Sequence, residues 1–366
     1  MRVVMLSKAC VVGQYQTKLE EIAKQSDIKL TVVIPPFWRD ERGIVPLERS
    51  HTRGYTLLVE PIRFNGKFHF HYYPTFPRLL TRLRPDIVHI DEEPYNLATF
   101  LALRAARKVN AKTIFFTWQN ILRRYPPPFS WMENYILQNS DYALAGNAQA
   151  TQVLRAKGYT GKARVIPQFG VDADHFAPAP KNNSALFRIG YAGRLVEEKG
   201  IQILLRAVAG LSGDWELRLQ GSGGPYKSEL QTLTRELRIT GRVFFDASIP
   251  SVGMPGYYRR LDALVLPSLT RPNWKEQFGR ALIEAMACEV AVVGSSCGEI
   301  PNVIGDAGLI FGEGDVLGLR AHLQFLRDHP FKRIELGERG RARVLAQYTQ
   351  ARIAQETCAV YRELAS

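Results

Sequence analysis

Two α/β domains, each built on a doubly wound parallel sheet, are the fold this 366-residue sequence predicts. Short apolar runs alternate with amphipathic stretches along most of the chain, as in strand–helix–strand units. The alternation halts at a Pro/Asn/Ser-rich stretch over residues 169–184 and then begins again. The length is also enough for two separate cores.

In the first half, residues 3–6, 30–34, 87–90, 113–116 and 142–145 are apolar on both alternating faces, the pattern of strands covered on both sides. Helical spacing falls at 16–23, 97–109 and 131–138. Residues 35–77 are rich in aromatics without clear periodicity and read as a loop-rich excursion toward a second substrate. In the second half the strands are expected at 187–192, 215–220, 242–245, 263–266 and 290–294. The helices between them are expected at 200–211, 226–237, 254–261 and 280–288. A helical finish follows over 316–327 and 331–364. In such sheets ligands bind beyond the C-terminal strand ends.

No apolar run reaches the roughly 18 residues of a membrane span. The opening Met-Arg-Val-Val-Met-Leu reads as a first strand, so a cytoplasmic location is expected. Cys10, Cys288, Cys297 and Cys358 show no CxxC spacing, which excludes a disulfide framework or zinc finger from the reading. The net charge is +13, and the first 150 residues hold 20 basic against 13 acidic side chains. The excess is therefore spread along the chain and suits either anionic partners or plain solubility. No nucleic-acid module or clustered basic stripe accompanies it, so no nucleic-acid partner is expected.

The segment Glu276-Gln-Phe-Gly-Arg-Ala-Leu-Ile-Glu284 carries the most conspicuous pair of carboxylates. On one helix they would stand about 12 Å apart, beyond the ~5–9.5 Å of a glycosidase acid/base pair. The spacing suits a solvated helix face or two contacts on one long ligand, with the amides of Phe278, Gly279 and Arg280 forming an anion-binding helix start between them. In Gly190-Tyr-Ala-Gly-Arg-Leu-Val-Glu-Glu-Lys-Gly200, Gly193 and a strand end precede Arg194 and Lys199, which are a clamp for a diphosphate or a pair of exposed loop charges. Leu219-Gln-Gly-Ser-Gly-Gly224 has Tyr226 where a dinucleotide fingerprint needs its last glycine, leaving Gly221 and Gly223 as a tight turn near a ligand. Gly13, after the first strand, lets an amide approach a phosphate or is an ordinary turn.

Other residues carry competing readings. Asp172-Ala-Asp174 has metal-motif spacing, but its linker position reads as turn chemistry. His69 and His71 would share one face of a strand but have no evident third ligand. His89, followed by Asp91, Glu92 and Glu93, suits an acceptor site or a buried satisfied histidine. Residues 75–84 alternate leucines with Arg78, Arg82 and Arg84. Such a helix lies on an anionic bilayer or packs its leucines on the sheet.

Taken in this order and spacing, the segments resemble the family 4 glycosyltransferases, retaining enzymes of the two-domain GT-B fold. The resemblance spans the second half and the strand order and first loop of the N-terminal half. It implies two Rossmann-like domains facing across a cleft: residues 1–170 for the acceptor, 171–345 for the nucleotide sugar, and a C-terminal helix over 346–366 that crosses back onto the first. Arg194 and Lys199 would neutralise the diphosphate, Glu284 would hold the ribose hydroxyls and Glu276 the donor sugar. The Phe278–Arg280 amides and Gly13 would meet phosphate, and no metal or other cofactor would be required. Where the family often has a histidine, this sequence has Trp118, Gln119 and Asn120, so the sugar is expected to be held by Gln119 or Asn120. The resemblance implies a UDP- or GDP-sugar donor, while the basic stretch 75–84 and the positive first half lead to the expectation of a lipid-linked or glycan acceptor, as in polysaccharide or cell-envelope synthesis, with peripheral attachment to an anionic membrane. A sugar-nucleotide epimerase or a synthase of the same architecture remains the alternative.

Overall fold

The computed structural model describes residues 1–40, 43–180 and 185–366. The chain divides into two compact units, one of residues 1–170 and 350–366, the other of residues 171–349.

In the first unit, strands β1 (Arg2–Leu6) and β2 (Lys29–Ile34) are followed by a small antiparallel hairpin, β3 (Phe37–Asp40) and β4 (Gly43–Pro46). Then come β5 (Thr56–Val59), β6 (Ile87–Ile90), β7 (Lys112–Thr117), β8 (Tyr142–Ala145) and β9 (Lys162–Val165). The hairpin apart, these strands form one parallel sheet in the order β5-β2-β1-β6-β7-β8-β9. Alternate residues of each strand point to opposite faces. Val3 and Met5 join a core with Leu19 and Ile22 of helix α1 (Thr17–Ala23) and with Ile353, Cys358 and Tyr361 of the last helix, Gln350–Ala365. Val4 and Leu6 face the other core, filled from α2 (Phe76–Leu83), α3 (Leu97–Lys108), α4 (Phe129–Asn139) and α5 (Ala148–Ala156).

The second unit carries β10 (Phe187–Ala192), β11 (Trp215–Gln220), β12 (Val243–Asp246), β13 (Ala263–Leu266), β14 (Ala291–Ser295) and β15 (Leu309–Phe311). They form a parallel sheet in the order β12-β11-β10-β13-β14-β15. Its helices are α6 (Ile201–Val208), α7 (Pro225–Glu236), α8 (Met254–Tyr258), α9 (Arg280–Ala287), α10 (Ile300–Ile304), α11 (Val316–Asp328) and α12 (Pro330–Gln347); the last helix of the chain is α13. Both sheets are doubly wound, as the sequence predicts. In each, the strand order reverses beside the first strand, between β1 and β6 and between β10 and β13. Crevices for ligands open at such reversals.

Several expectations need correction. Residues 35–77 are not only loop: they supply the hairpin and the edge strand β5. No strand carries His69 and His71; a single bridge joins Arg63 and Tyr72 around them. The helical finish over 331–364 is two helices, parted where Tyr348 O accepts the Val171 amide at 2.8 Å. Helix α2 forms over its expected stretch, but Phe76, Leu79 and Leu80 are buried in the core, so this apolar face is not offered to a bilayer. No helix among the described residues is long and apolar enough to cross a membrane.

Helix α12 lies so close to the end of α9 that a Cβ on Gly337 would stand 2.4 Å from the Glu289 carbonyl oxygen. Alanine is the better helix former by about 1 kcal/mol, but overpacking of this kind costs about 1–3 kcal/mol. Gly337→Ala is therefore expected to lower the thermal midpoint, and a raised midpoint in calorimetry would disprove this packing account.

Candidate functional site

The reversal in the second sheet is bordered by the loops that follow β10 and β13, and these two loops rest on each other. Gly200 has φ +67°, and a Cβ there would stand 1.9 Å from the Pro267 carbonyl oxygen. Leu269 N donates to Glu198 O at 2.8 Å across the same junction. The β11 loop is as close: a Cβ on Gly221 would meet Gly193 O at 1.8 Å, while Gly193 N donates to Gln220 O at 3.0 Å. Gly223, one turn further on, lies against the flexible side chain of Lys227 before α7.

Side chains from these loops converge. Glu276, only 7% exposed, accepts Lys199 Nζ at 2.6 Å and Ser268 Oγ at 2.9 Å on its Oε2. Lys199 Nζ also stands 4.7 Å from the centre of the Trp274 ring. Arg194 is more open and lies 3.7 Å from Glu198. Helix α9 starts at Arg280, with Gly279 as its cap at φ +80° and the Phe278 ring against Tyr348. Glu276 thus precedes the helix and Glu284 lies within it. Glu284 is buried and already engaged: Oε1 accepts Arg280 Nε at 2.6 Å and Oε2 accepts the Tyr258 hydroxyl at 2.8 Å. The arrangement offers two cations, a helix N-terminus and two buried carboxylates at one sheet edge, a set that suits a ligand with a central diphosphate and hydroxyls at both ends.

In the first unit the expected contacts are less open. The Gly13 amide donates to Glu48 Oε2 at 2.6 Å, so a carboxylate stands where a phosphate oxygen was expected. Gln16 holds this strap in place: its Nε2 donates to the Glu48 carbonyl, and its Oε1 accepts the amides of Ser50 and His51. Trp118 is a structural anchor. Its Nε1 donates to Gln168 Oε1 at 2.9 Å, its amide to Glu93 Oε1 at 2.8 Å, and its ring covers Gly146. Gln119 and Asn120 are buried beside it. Gln119 Oε1 accepts Lys157 Nζ at 3.1 Å, whereas its Nε2 has no hydrogen-bond partner among the described residues. The amide of Gln119, and not the indole of Trp118, is the donor available here.

Two models of known families tile the chain. The model described as Glycosyltransferase Family 4 matches residues 19–175, and that described as Glycosyl transferases group 1 matches residues 173–343. The chain belongs to the group 1 glycosyltransferases. It is 34% identical over 203 residues to a D-inositol 3-phosphate glycosyltransferase of Corynebacterium jeikeium, a match covering 49% of this chain and 47% of the relative. It is 31% identical over 188 residues to a GDP-mannose-dependent alpha-(1-6)-phosphatidylinositol monomannoside mannosyltransferase of Mycolicibacterium smegmatis, covering 47% and 49%. The chain spans about half the length of the curated relatives it matches. The fold is similar to that of Anabaena Alr3699/HepE in complex with UDP, with a TM-score of 0.75 at 17% identity over 99% of this chain and 100% of that one. The chain therefore has the two Rossmann-like sheets of the GT-B fold.

The chain also holds groups that sequence reasoning placed only loosely or missed. Ser268 and Tyr258 carry no motif, and their signal was only their position near Glu276 and Glu284 in the fold. At the reversal of the first sheet, Ser7 Oγ donates to Asp91 Oδ2 at 2.7 Å, and Lys8 pairs with Glu92. His71 is buried with Nε2 3.6 Å from Glu92, and His69 packs against Tyr95, Tyr125 and Phe129. No group of three His, Cys, Asp or Glu side chains placed to hold a metal ion occurs among the described residues. His89 is a core histidine, its Nδ1 2.7 Å from the Tyr361 hydroxyl, and burial lowers its pKa to about 4. Asp172 makes the turn expected of it, accepting the amides of Asp174 and His175 at 3.1 Å.

Neighbouring Glu92 and Glu93 are driven in opposite directions. Burial raises the Glu92 carboxyl, but Lys8 and His71 outweigh it and hold the pKa at about 2. Burial lifts Glu93 to about 7, against the bonds it accepts from Thr117 and Trp118. A carboxyl ordinarily at 4.5 and raised to about 7 contributes fully below pH 4.5 and loses that contribution as pH rises through 7. Urea unfolding of wild type and Glu93→Gln should show it. The wild-type advantage is expected to shrink by about 3 kcal/mol over this window, and a flat difference would sink the assignment.

Proposed function

We propose that the chain is a retaining, metal-independent hexosyltransferase, which moves a sugar from a UDP- or GDP-sugar to a glycan or lipid-linked acceptor. The convergence of Lys199, Ser268 and Glu276 beside Arg194 and the start of α9 carries this reading. Arg194 and Lys199 are suited to take the charge that develops on the departing diphosphate, and the Phe278–Arg280 amides extend the same field. Fixed cations and a helix N-terminus would supply what a metal supplies elsewhere. Glu284 keeps a lone pair on each oxygen for the ribose hydroxyls while it holds Arg280 and Tyr258. Glu276 is assigned to the donor sugar, Gly193, Gly221 and Gly223 to close backbone approach, and Gln119 Nε2 or Asn120 to the sugar's far side. In a retaining reaction the acceptor hydroxyl attacks the face that the nucleotide leaves. The relative named for phosphatidylinositol mannoside supports a lipid-linked acceptor, and the one named for inositol 3-phosphate supports a small polar one.

Nucleotide release from a panel of UDP-, GDP- and ADP-sugars, followed by mass spectrometry, tests the reaction itself. Because Glu276 now neutralises Lys199, Glu276→Ala frees that cation. Transfer should fall by about a hundredfold or more while affinity for the nucleoside diphosphate is kept or raised. Arg194→Ala should lose about tenfold in that affinity as well as in rate. Calorimetric titration with UDP and GDP checks both, and an equal loss in the two variants refutes the assignments.

The Glu48 carboxylate competes for the Gly13 amide proposed to meet the β-phosphate. Glu48→Gln, which removes the competing charge, is expected to lower the donor KM by about three- to tenfold. An unchanged or higher KM in steady-state kinetics would remove Gly13 from the donor site.

A further inference from the structure

We propose that the first unit of this protein docks on an anionic lipid bilayer through a cationic aromatic patch, formed by the 63–72 loop and the 122–131 segment. The inference deepens the acceptor reading above and rests on it only for the purpose of the contact. The 63–72 loop is a built structure. Arg63 and Tyr72 exchange two backbone hydrogen bonds at its base, of 2.9 and 3.2 Å. Within it the amides of Lys67, Phe70 and His71 bond internally, and Leu97 N donates to His69 O at 3.0 Å. The second segment is joined to it by rings: Phe70 lies 5.0 Å and His69 5.1 Å from Phe129, and His69 lies 5.9 Å from Tyr125.

From this rigid base large apolar side chains stand into solvent. Phe64 is 62% exposed, Phe70 49%, Leu122 56% and Trp131 67%. Four bulky side chains left in water on two segments joined by ring contacts suit a contact surface better than ordinary scatter. Arg63, Lys67, Arg123 and Arg124 are exposed among them. Neither residues 61–84 nor residues 121–132 contain an acidic side chain. Glu92 and Glu133, beside the two segments, are turned inward and paired, Glu92 with Lys8 and Glu133 with Lys157 at 2.6 Å, while Glu60, half-buried at the margin, is bonded by the Thr75 hydroxyl.

Charge decides the occupant. A second copy of the chain would bring the same cations to the contact and repel it. An anionic bilayer complements them, and Trp and Phe with flanking Arg and Lys are the side chains that settle at the headgroup boundary. Phe68, under Lys8 at 4.7 Å, links the patch to the strand ends of the first sheet, so a lipid-borne acceptor would arrive beside its binding unit. The leucine face of α2, buried in the core, has no part in this contact.

Flotation of the whole protein with vesicles of phosphatidylcholine containing about 30 mol% phosphatidylglycerol tests it. Binding is expected to those vesicles, to be lost at high salt, and to be absent with pure phosphatidylcholine. Phe70→Ser with Trp131→Ser should weaken binding by about tenfold, and Arg123→Gln with Arg124→Gln by about fivefold per charge. These positions are exposed, so thermal midpoints should match wild type. Wild-type flotation in both double variants, or none in the wild type, overturns the proposal. So does capture of polyuridylate in place of vesicles, or a dimer by light scattering that Trp131→Ser dissolves. Hydrolysis of the sugar nucleotide by water, measured without vesicles, should be unchanged in both variants. If it fails in wild type while flotation persists, the donor reading falls and the docking surface stands.

Discussion

Backbone lying directly on backbone, at the C-terminal edge of the second sheet, is the constraint on which the candidate site depends. Gly200 lies against Pro267, and Gly298, at φ +58°, leaves 2.1 Å between its absent Cβ and the Glu276 carbonyl oxygen. Side chains at either position would push the loops apart by more than a hydrogen bond can span. With the loops in contact, Lys199 meets Glu276 at 2.6 Å. Such a pair, mostly buried, is costly to desolvate and gains little net stability. Its retention at a sheet reversal is better explained by placement: a cation and a carboxylate fixed before any ligand arrives need not be reorganised during reaction.

The first sheet meets the same geometric demand with other chemistry. Its reversal is tied by side chains, through Ser7 to Asp91 and Lys8 to Glu92. A consequence is that Glu92 and Glu93, adjacent in sequence, inhabit opposite electrostatic environments. Glu92 faces the lysine and stays ionised, while Glu93 faces Thr117 and the Trp118 amide and is held near neutrality by burial. Glu93 thereby fixes the 118–120 segment without adding a charge to it at mildly acidic pH. A carboxyl that can release its proton near pH 7 couples the order of that segment to the medium.

The doubly wound sheets were legible because buried parallel strands leave continuous apolar runs, and β10, β11 and β13 begin and end where those runs do. Strands β5, β9 and β15 were not legible. Each lies at a sheet edge or against one, with partly exposed residues, so the apolar signal is diluted. The break at Tyr348 and Thr349 escaped for a different reason: the helical spacing continues through it, and only the bond to Val171 parts the helices. At the site, the glycines and charged residues after β10 and β13 could be read in one dimension. Their partners could not. Ser268, Tyr258 and Glu48 are ordinary residues that folding brings beside the candidate residues, and the bond from the Trp118 indole to Gln168 joins positions far apart in the sequence.

The net charge takes on a different meaning once burial is known. A formal +13 could reflect nothing more than solubility. Among the described residues, however, the buried charged side chains are Asp91, Glu92, Glu93, Glu133, Glu276, Glu284 and Glu299 against the single base Lys18. Lys8, Lys157 and Lys199 are drawn mostly inward with Glu92, Glu133 and Glu276, and only the remaining buried carboxylates leave the exterior somewhat more positive than the composition states. The carboxylates are drawn inward because the strand-end sites require them to hold lysines, hydroxyls and loop amides. A positive field of the kind that favours anionic ligands is thus in part a by-product of how the two strand-end clusters are built.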